Sequence, residues 1–124
     1  MLRDLSVKGF VYETSSDSPA PGGGSIAALS AATSAALIEM VANLTIGKKG
    51  YEEVTNEMEK VKETASQYKD KFINYIDEDS NSFNKIMEAF KLPKETDNEK
   101  ALRTNTIQLA FKGAANVPLN VGKD

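Results

Sequence analysis

The 124-residue chain reads as all-α: a multihelical bundle with long helices, forming one domain over residues 1–124. Three observations carry that reading. Val54, Met58, Val61, Ala65, Tyr68, Phe72 and Tyr75 are spaced alternately four and three residues apart, which makes a continuous helical seam. Ile26 to Thr45 is an apolar, alanine-rich run whose only charge is Glu39. Thr96-Asp-Asn-Glu99 is a capping box opening a third long segment. Every long periodic segment is therefore helical, and helices with apolar faces bury them against one another.

In Leu5-Ser6-Val7-Lys8-Gly9-Phe10, Ser6 is placed as an N-cap and Leu5 and Phe10 as a hydrophobic staple. A short helix to about Glu13 follows, then a polar loop from Thr14 to Asp17. Next comes Pro19-Ala-Pro-Gly-Gly-Gly-Ser25. Its prolines stiffen the approach, and its glycines leave the backbone free of Cβ atoms. Ser25 is the expected N-cap of a helix beginning at Ile26. Alanines at 27, 28, 31, 32, 35 and 36 allow close backbone approach. With Leu29, Leu37, Ile38, Met40 and Val41 spread around it, this helix should be buried on most sides.

A glycine loop at a helix start is a ready anion site. A tight turn into a core helix is the plainer explanation, since the stretch fits no nucleotide fingerprint. The P-loop needs Gly-Lys-Ser/Thr after a strand, and the dinucleotide motif needs spaced glycines after a strand. Ser30, Thr33, Ser34 and Glu39 interrupt the apolar run, so no membrane insertion is expected.

Gly47 and Gly50 in Thr45-Ile-Gly-Lys-Lys-Gly50 are stop signals. Lys48 and Lys49 are either a solvated pair complementing the helix dipole or cations for a ligand. A long helix is then predicted over Tyr51–Phe90, uninterrupted by Pro or Gly. Straight, it would span roughly 60 Å, with room for a bend or break between Asp77 and Ser80. After Tyr75 the seam lands on Asp79 before resuming at Phe83, Ile86 and Phe90. A carboxylate in line with a buried face is costly unless it is paired, protonated or solvated. Asp79 therefore turns to water, meets a lysine, or has a functional role. Leu92-Pro93 ends this helix. The third long helix runs from Asp97 to about Asn116, carrying Leu102, Leu109 and Phe111. Pro118 should break or kink it, and Asn120 to Asp124 is a polar end.

Composition narrows the chemistry. Fifteen Lys and Arg against 18 Asp and Glu give a net charge of −3, which argues against general nucleic-acid binding. The first residues carry no apolar signal region, so a cytoplasmic protein is expected. There is no Cys and no His. Disulfides, thiolate nucleophiles, His-based triads and the usual zinc sites are thereby excluded. A catalytic acid or base has to be Asp, Glu, Lys or Tyr.

Several stretches together resemble one family. They are Ser18-Pro-Ala-Pro-Gly-Gly-Gly-Ser-Ile-Ala-Ala28, Met40-Val-Ala-Asn-Leu-Thr-Ile-Gly-Lys-Lys49, Ile76-Asp-Glu-Asp-Ser-Asn-Ser-Phe-Asn84, Leu92-Pro-Lys-Glu-Thr96, Arg103-Thr104 and Val117-Pro-Leu119. In order and spacing, over about Leu5 to Leu119, they look like the formiminotetrahydrofolate cyclodeaminases and methenyltetrahydrofolate cyclohydrolases.

The resemblance implies an all-helical dimer that acts on tetrahydrofolate one-carbon units, with no metal and no cofactor beyond the tetrahydrofolate substrate. It implies that Asp79, the second Asp of the family's Asp-x-Asp motif, is catalytic, with Asp77 in support. Pro21, Gly22, Gly23, Gly24 and Ser25 would line the folate pocket. Lys48 and Lys49, and more weakly Arg103, would hold the anionic tail of a mono- or polyglutamylated folate. Cyclodeamination of 5-formiminotetrahydrofolate is the main reading. The alternatives are a cyclohydrolase and a non-catalytic helical remnant. Helices of the family's domain beyond Val117-Pro-Leu119 are absent, so this domain is expected to be incomplete at its C-terminus. Uncovered apolar surface then favours a homodimer, with Tyr68, Phe72 and Tyr75 or the alanine helix in the contact.

Overall fold

The alanine-rich run and the long seam pack against each other. The computed structural model describes residues 1–123, with side chains through Val117, and among them every regular element is helical. A single 3-10 turn, Leu2–Asp4, precedes α1 (Val7–Ser15). Helix α2 covers Gly23–Thr45, and a second 3-10 turn, Glu52–Val54, leads into α3 (Thr55–Phe90). Helix α4 covers Asp97–Lys123.

Local signals set most of these boundaries. The Ser6 side chain accepts from the Gly9 N–H at 2.9 Å, so α1 starts at its expected cap. Helix α2 stops before Gly47 and Gly50, which adopt φ +78° and +93°, the left-handed region that glycine enters without a Cβ clash. The Thr96 hydroxyl accepts from the Glu99 N–H at 3.1 Å. Glu99 reaches back to the Glu95 N–H at 3.4 Å, one residue earlier than a standard capping box.

Three expectations are corrected. Helix α3 passes through Asp77–Ser80 as one element, because nothing there lacks an N–H or needs a positive φ. Helix α4 continues past Asn116 to Lys123, so Pro118 does not end it; Asp124 of the polar end lies outside the described residues. Helix α2 is also covered on one stripe only.

That stripe is Ser25, Ala28, Ala32, Ala35 and Ala42, all buried along α3. Small side chains at near-helical spacing let the two backbones approach closely, at the cost of little buried area per residue. The opposite face of α2 stays open within one chain: Leu37, Ile38, Val41 and Leu44 are each more than half exposed. By length and composition α2 would also suit a bilayer. Its one charge, Glu39, is instead answered from α3 by Lys69 Nζ at 2.7 Å. That hydrogen bond holds the Lys69 ammonium pKa above its usual value.

Since the start of α2 meets residues 76–80 of α3 and Glu39 meets Lys69, the two helices run antiparallel. On the other side of α3, Arg103 of α4 donates through Nε and Nη2 to the Phe90 carbonyl at 3.4 and 3.3 Å. The Arg103 guanidinium also sits 5.5 Å from the Phe90 ring centroid, and Phe111 packs edge-on to that ring.

The core gathers every helix at one level. Phe10 of α1, Ala28 of α2, and Tyr75 and Ile76 of α3 form a buried cluster, with Leu2, Phe72 and Val117 packed around it. Tyr75 is thus a core residue, 7% exposed, and is not available as an intermolecular contact; Tyr68 and Phe72, stacked at 6.0 Å, lie nearer the surface. The close α2–α3 approach makes a direct expectation. Ala32→Leu, which forces new volume into the stripe, should destabilise the chain by about 1–3 kcal/mol. Ala101→Leu, on an exposed turn of α4, should change stability by less than about 0.5 kcal/mol. Chemical denaturation of both variants checks this, and equal effects would mean that the stripe is not tightly packed.

Candidate active site

One turn above the core, the first turn of α2 meets α3 at Asp79. Gly22 is the N-cap of α2, and the Ile26 N–H closes the first helical bond on the Gly22 carbonyl at 3.1 Å. Gly23 and Gly24 therefore lie inside the helix, where glycine costs about 1 kcal/mol relative to alanine. The reason for tolerating Gly24 is steric. A Cβ built there would lie 2.5 Å from Cγ and Oδ2 of Asp79, and closer still to Oδ1. The missing side chain is the seat of the carboxylate.

Asp79 is half-buried, and among the described residues it has no hydrogen-bond or ion-pair partner. Of the readings open to a seam carboxylate, a lysine pair is not found among the described residues, and the carboxylate is only partly open to water. The carboxylate rests against the N-terminal turn of a 23-residue helix, where the partial positive charge of free N–H groups favours an anion. It is held against Gly24 and desolvated on that side.

Ser25 is not the N-cap. It is fully buried in the third helical position, and its hydroxyl donates to the Ile76 carbonyl at 2.7 Å, with Ser80 Oγ 3.1 Å away. The cap moved upstream because Gly22 already adopts the extended conformation that a cap requires. The Ser25 side chain therefore has no exposed surface toward a pocket within one chain, and its hydroxyl is committed to α3. Pro21, which follows a cis Ala20–Pro21 peptide, is buried; of the three glycines after it, Gly24 is the one that faces Asp79, whereas a Cβ at Gly22 would meet the Pro19 carbonyl and one at Gly23 nothing within 4 Å.

Asp77 is not brought to Asp79. Residues two apart on a helix face different directions, and their surroundings differ accordingly. Asp77 is buried, with Oδ2 3.4 Å from Arg3 Nε, and Arg3 also hydrogen-bonds Asn74. Asp77 thus anchors the N-terminal 3-10 turn onto α3, and its Oδ2 has no hydrogen bond of good geometry. Lys48 and Lys49 lie beyond the other end of α2, roughly 30 Å from Gly24 at 1.5 Å per residue, and Lys48 sits 5.3 Å from the Tyr51 ring centroid. Arg103 is occupied at the end of α3. None of these three cations reaches Asp79 within one chain. Sequence reasoning missed Arg3 and Ser80: no periodic signal marks Arg3, and Ser80 is one polar residue among several between Ile76 and Asn84.

A family model described as formiminotransferase-cyclodeaminase matches residues 6–124. The chain belongs to the formiminotransferase-cyclodeaminase family. It is similar to the methenyltetrahydrofolate cyclohydrolase of Methylorubrum extorquens, 44% identical over 96% of this chain and 57% of that one. It is also similar to the mouse formimidoyltransferase-cyclodeaminase, 35% identical over 98% of this chain and 23% of that one. The formiminotetrahydrofolate cyclodeaminase structure from Thermotoga maritima superposes with a TM-score of 0.79 at 36% identity, covering 98% of this chain and 56% of that one. This family member therefore spans little more than half the length of the cyclohydrolase it resembles.

The two helical glycines make opposite expectations. Gly23→Ala meets nothing within 4 Å and should stabilise α2, by up to about 1 kcal/mol. Gly24→Ala must push the Asp79 carboxylate out of its seat, and should lose that gain or reverse it. Thermal unfolding of the pair decides: equal stabilisation would mean that Asp79 does not rest on Gly24.

Proposed function

We propose that the chain carries the acid–base centre of a folate cyclodeaminase, with Asp79 as the proton carrier. The observation that supports this best is the Asp79 carboxylate, seated on Gly24 at a helix start and without a hydrogen-bond or ion-pair partner among the described residues. In cyclodeamination of 5-formiminotetrahydrofolate, whose formimino group reacts as the protonated amidinium, N10 attacks the formimino carbon and loses its proton, while the departing NH2 group gains one and leaves as ammonia. A single positioned carboxylate takes the first proton and returns it to the leaving group. The 5,10-methenyl product is cationic, so the carboxylate also stabilises the charge of the closing ring. Gly22, Gly23 and Gly24 offer a backbone that a flat ring can approach closely.

A second reading is specifically favoured by the 44% identity to a protein named methenyltetrahydrofolate cyclohydrolase, against 35% to the mouse cyclodeaminase. It uses the same carboxylate with water in place of ammonia. Supplying 5-formimino- and 5,10-methenyl-tetrahydrofolate separately and following methenyl absorbance separates the two readings. Absorbance rises from the first substrate in a cyclodeaminase and falls from the second in a cyclohydrolase. Folate binding without turnover of either would support a non-catalytic family remnant. In whichever assay is positive, Asp79→Asn should lower turnover by about 10²-fold or more, with much less effect on binding. Near wild-type turnover would remove Asp79 from the mechanism.

The assembly belongs to the same proposal. The face of α2 bearing Leu37, Ile38, Val41 and Leu44, together with the Tyr68–Phe72 pair, supports a homodimer. In such an assembly Lys48 and Lys49 remain candidates for the glutamate tail of a folate bound to the other subunit. Light scattering in dilute solution should give twice the mass of one chain or more; a soluble monomer would contradict this part.

A further inference from the structure

We infer that the buried hydroxyl pair Ser25–Ser80 is a positioning device that holds Asp79 on its glycine seat. The inference rests on the acid–base role proposed for Asp79. Ser25 is fully buried and Ser80 is 5% exposed, so each hydroxyl needs a partner inside the protein. Ser25 Oγ lies 2.7 Å from the Ile76 carbonyl, which only accepts, so the single Ser25 proton is committed there. The 3.1 Å contact between the two hydroxyls is then donated by Ser80. The result is a directed chain, from Ser80 to Ser25 to the backbone of α3 one turn below Asp79.

The sequence offset explains what this chain does. Gly24 faces Asp79, and the next residue on each helix, Ser25 and Ser80, forms the bonded pair. Fixing the second contact fixes the register of the first. The first turn of α2 needs such a fixture, because Gly23 and Gly24 are the residues most prone to fray there. If that turn opens, the seat dissolves and the carboxylate gains rotational freedom about the reacting atoms. Small misplacements of a catalytic group lower the rate of the chemical step while leaving substrate binding largely intact. Ser25 and Ser80 are accordingly positioning residues and do not touch the folate.

The test compares Ser25→Ala, Ser80→Ala, the double variant and Asp79→Asn with the parent chain. Turnover, melting temperature and the nuclear Overhauser contact between Gly24 Hα and Asp79 Hβ are measured for each. Ser80→Ala keeps the Ser25–Ile76 bond and should stay folded. We expect kcat to fall about tenfold in Ser25→Ala and about threefold in Ser80→Ala, with KM changed by less than about twofold. The double variant should be no slower than Ser25→Ala, because Ser80 acts through Ser25. The Gly24–Asp79 contact should weaken in the same order. A merely structural role would lower the melting temperature but leave both kcat per folded site and the contact unchanged, and that result overturns the inference. If Asp79→Asn keeps full turnover, the acid–base role fails, and the Gly24–Asp79 contact alone still decides the positioning. If Asp79→Asn is inactive while both serine variants turn over normally and keep the contact, only the positioning role fails.

Discussion

The close approach of α2 and α3 at Gly24–Ser25 against Asp79–Ser80 is the constraint on which the rest of the structure depends. It is possible only because the α2 stripe is built from glycine, serine and alanine. Those residues bring little apolar area, so the approach is held by a different means at each level. At the top two buried hydroxyls bond to each other and to the Ile76 carbonyl. Below them Phe10, Ala28, Tyr75 and Ile76 close the core. Farther down Lys69 answers Glu39.

From this constraint the chemistry follows. A carboxylate on an ordinary seam would be driven outward or neutralised. Here it has a place to sit, because the facing residue has no side chain, and the facing helix end presents N–H groups rather than carbonyls. The core one turn away fixes both helices, so the group is rigidly mounted, and among the described residues it has no hydrogen-bond or ion-pair partner. Rigid support of a partly exposed carboxylate is what the proposed acid–base role requires. The buried carboxylate of Asp77 instead faces Arg3, and serves to fasten the N-terminal turn over the same core.

Much of this was legible before the structure. The seam over Val54–Phe90 and the alanine run gave the two long helices because apolar spacing is a direct record of helical faces. The interruption of that seam singled out Asp79 without any family knowledge. The seat itself was less legible. Three glycines read naturally as a loop, since glycine weakens helices; only the facing carboxylate explains why two of them lie inside one. Ser25 is illegible for the same reason: its local pattern matches a cap, while its tertiary bond decides its role. Lys48, Lys49 and Arg103 carry charge, but distance within one chain is invisible to a motif. Arg103 turned out to cap α3 through Phe90. Pro118 is a signal to break or kink a helix; α4 is not broken there, and its backbone runs on to Lys123.

The central claim is that Asp79, seated on Gly24, meets the reacting nitrogen of the folate. The most direct measurement is a crystal structure of the chain with 5-formyltetrahydrofolate, whose carbonyl oxygen replaces the departing nitrogen and prevents turnover. The account predicts one Asp79 carboxylate oxygen within about 2.6–3.2 Å of N10, or joined to it by a single water, with the ring lying over the start of α2. A folate bound in ordered density with its N10 remote from Asp79, and no water between them, would contradict the account.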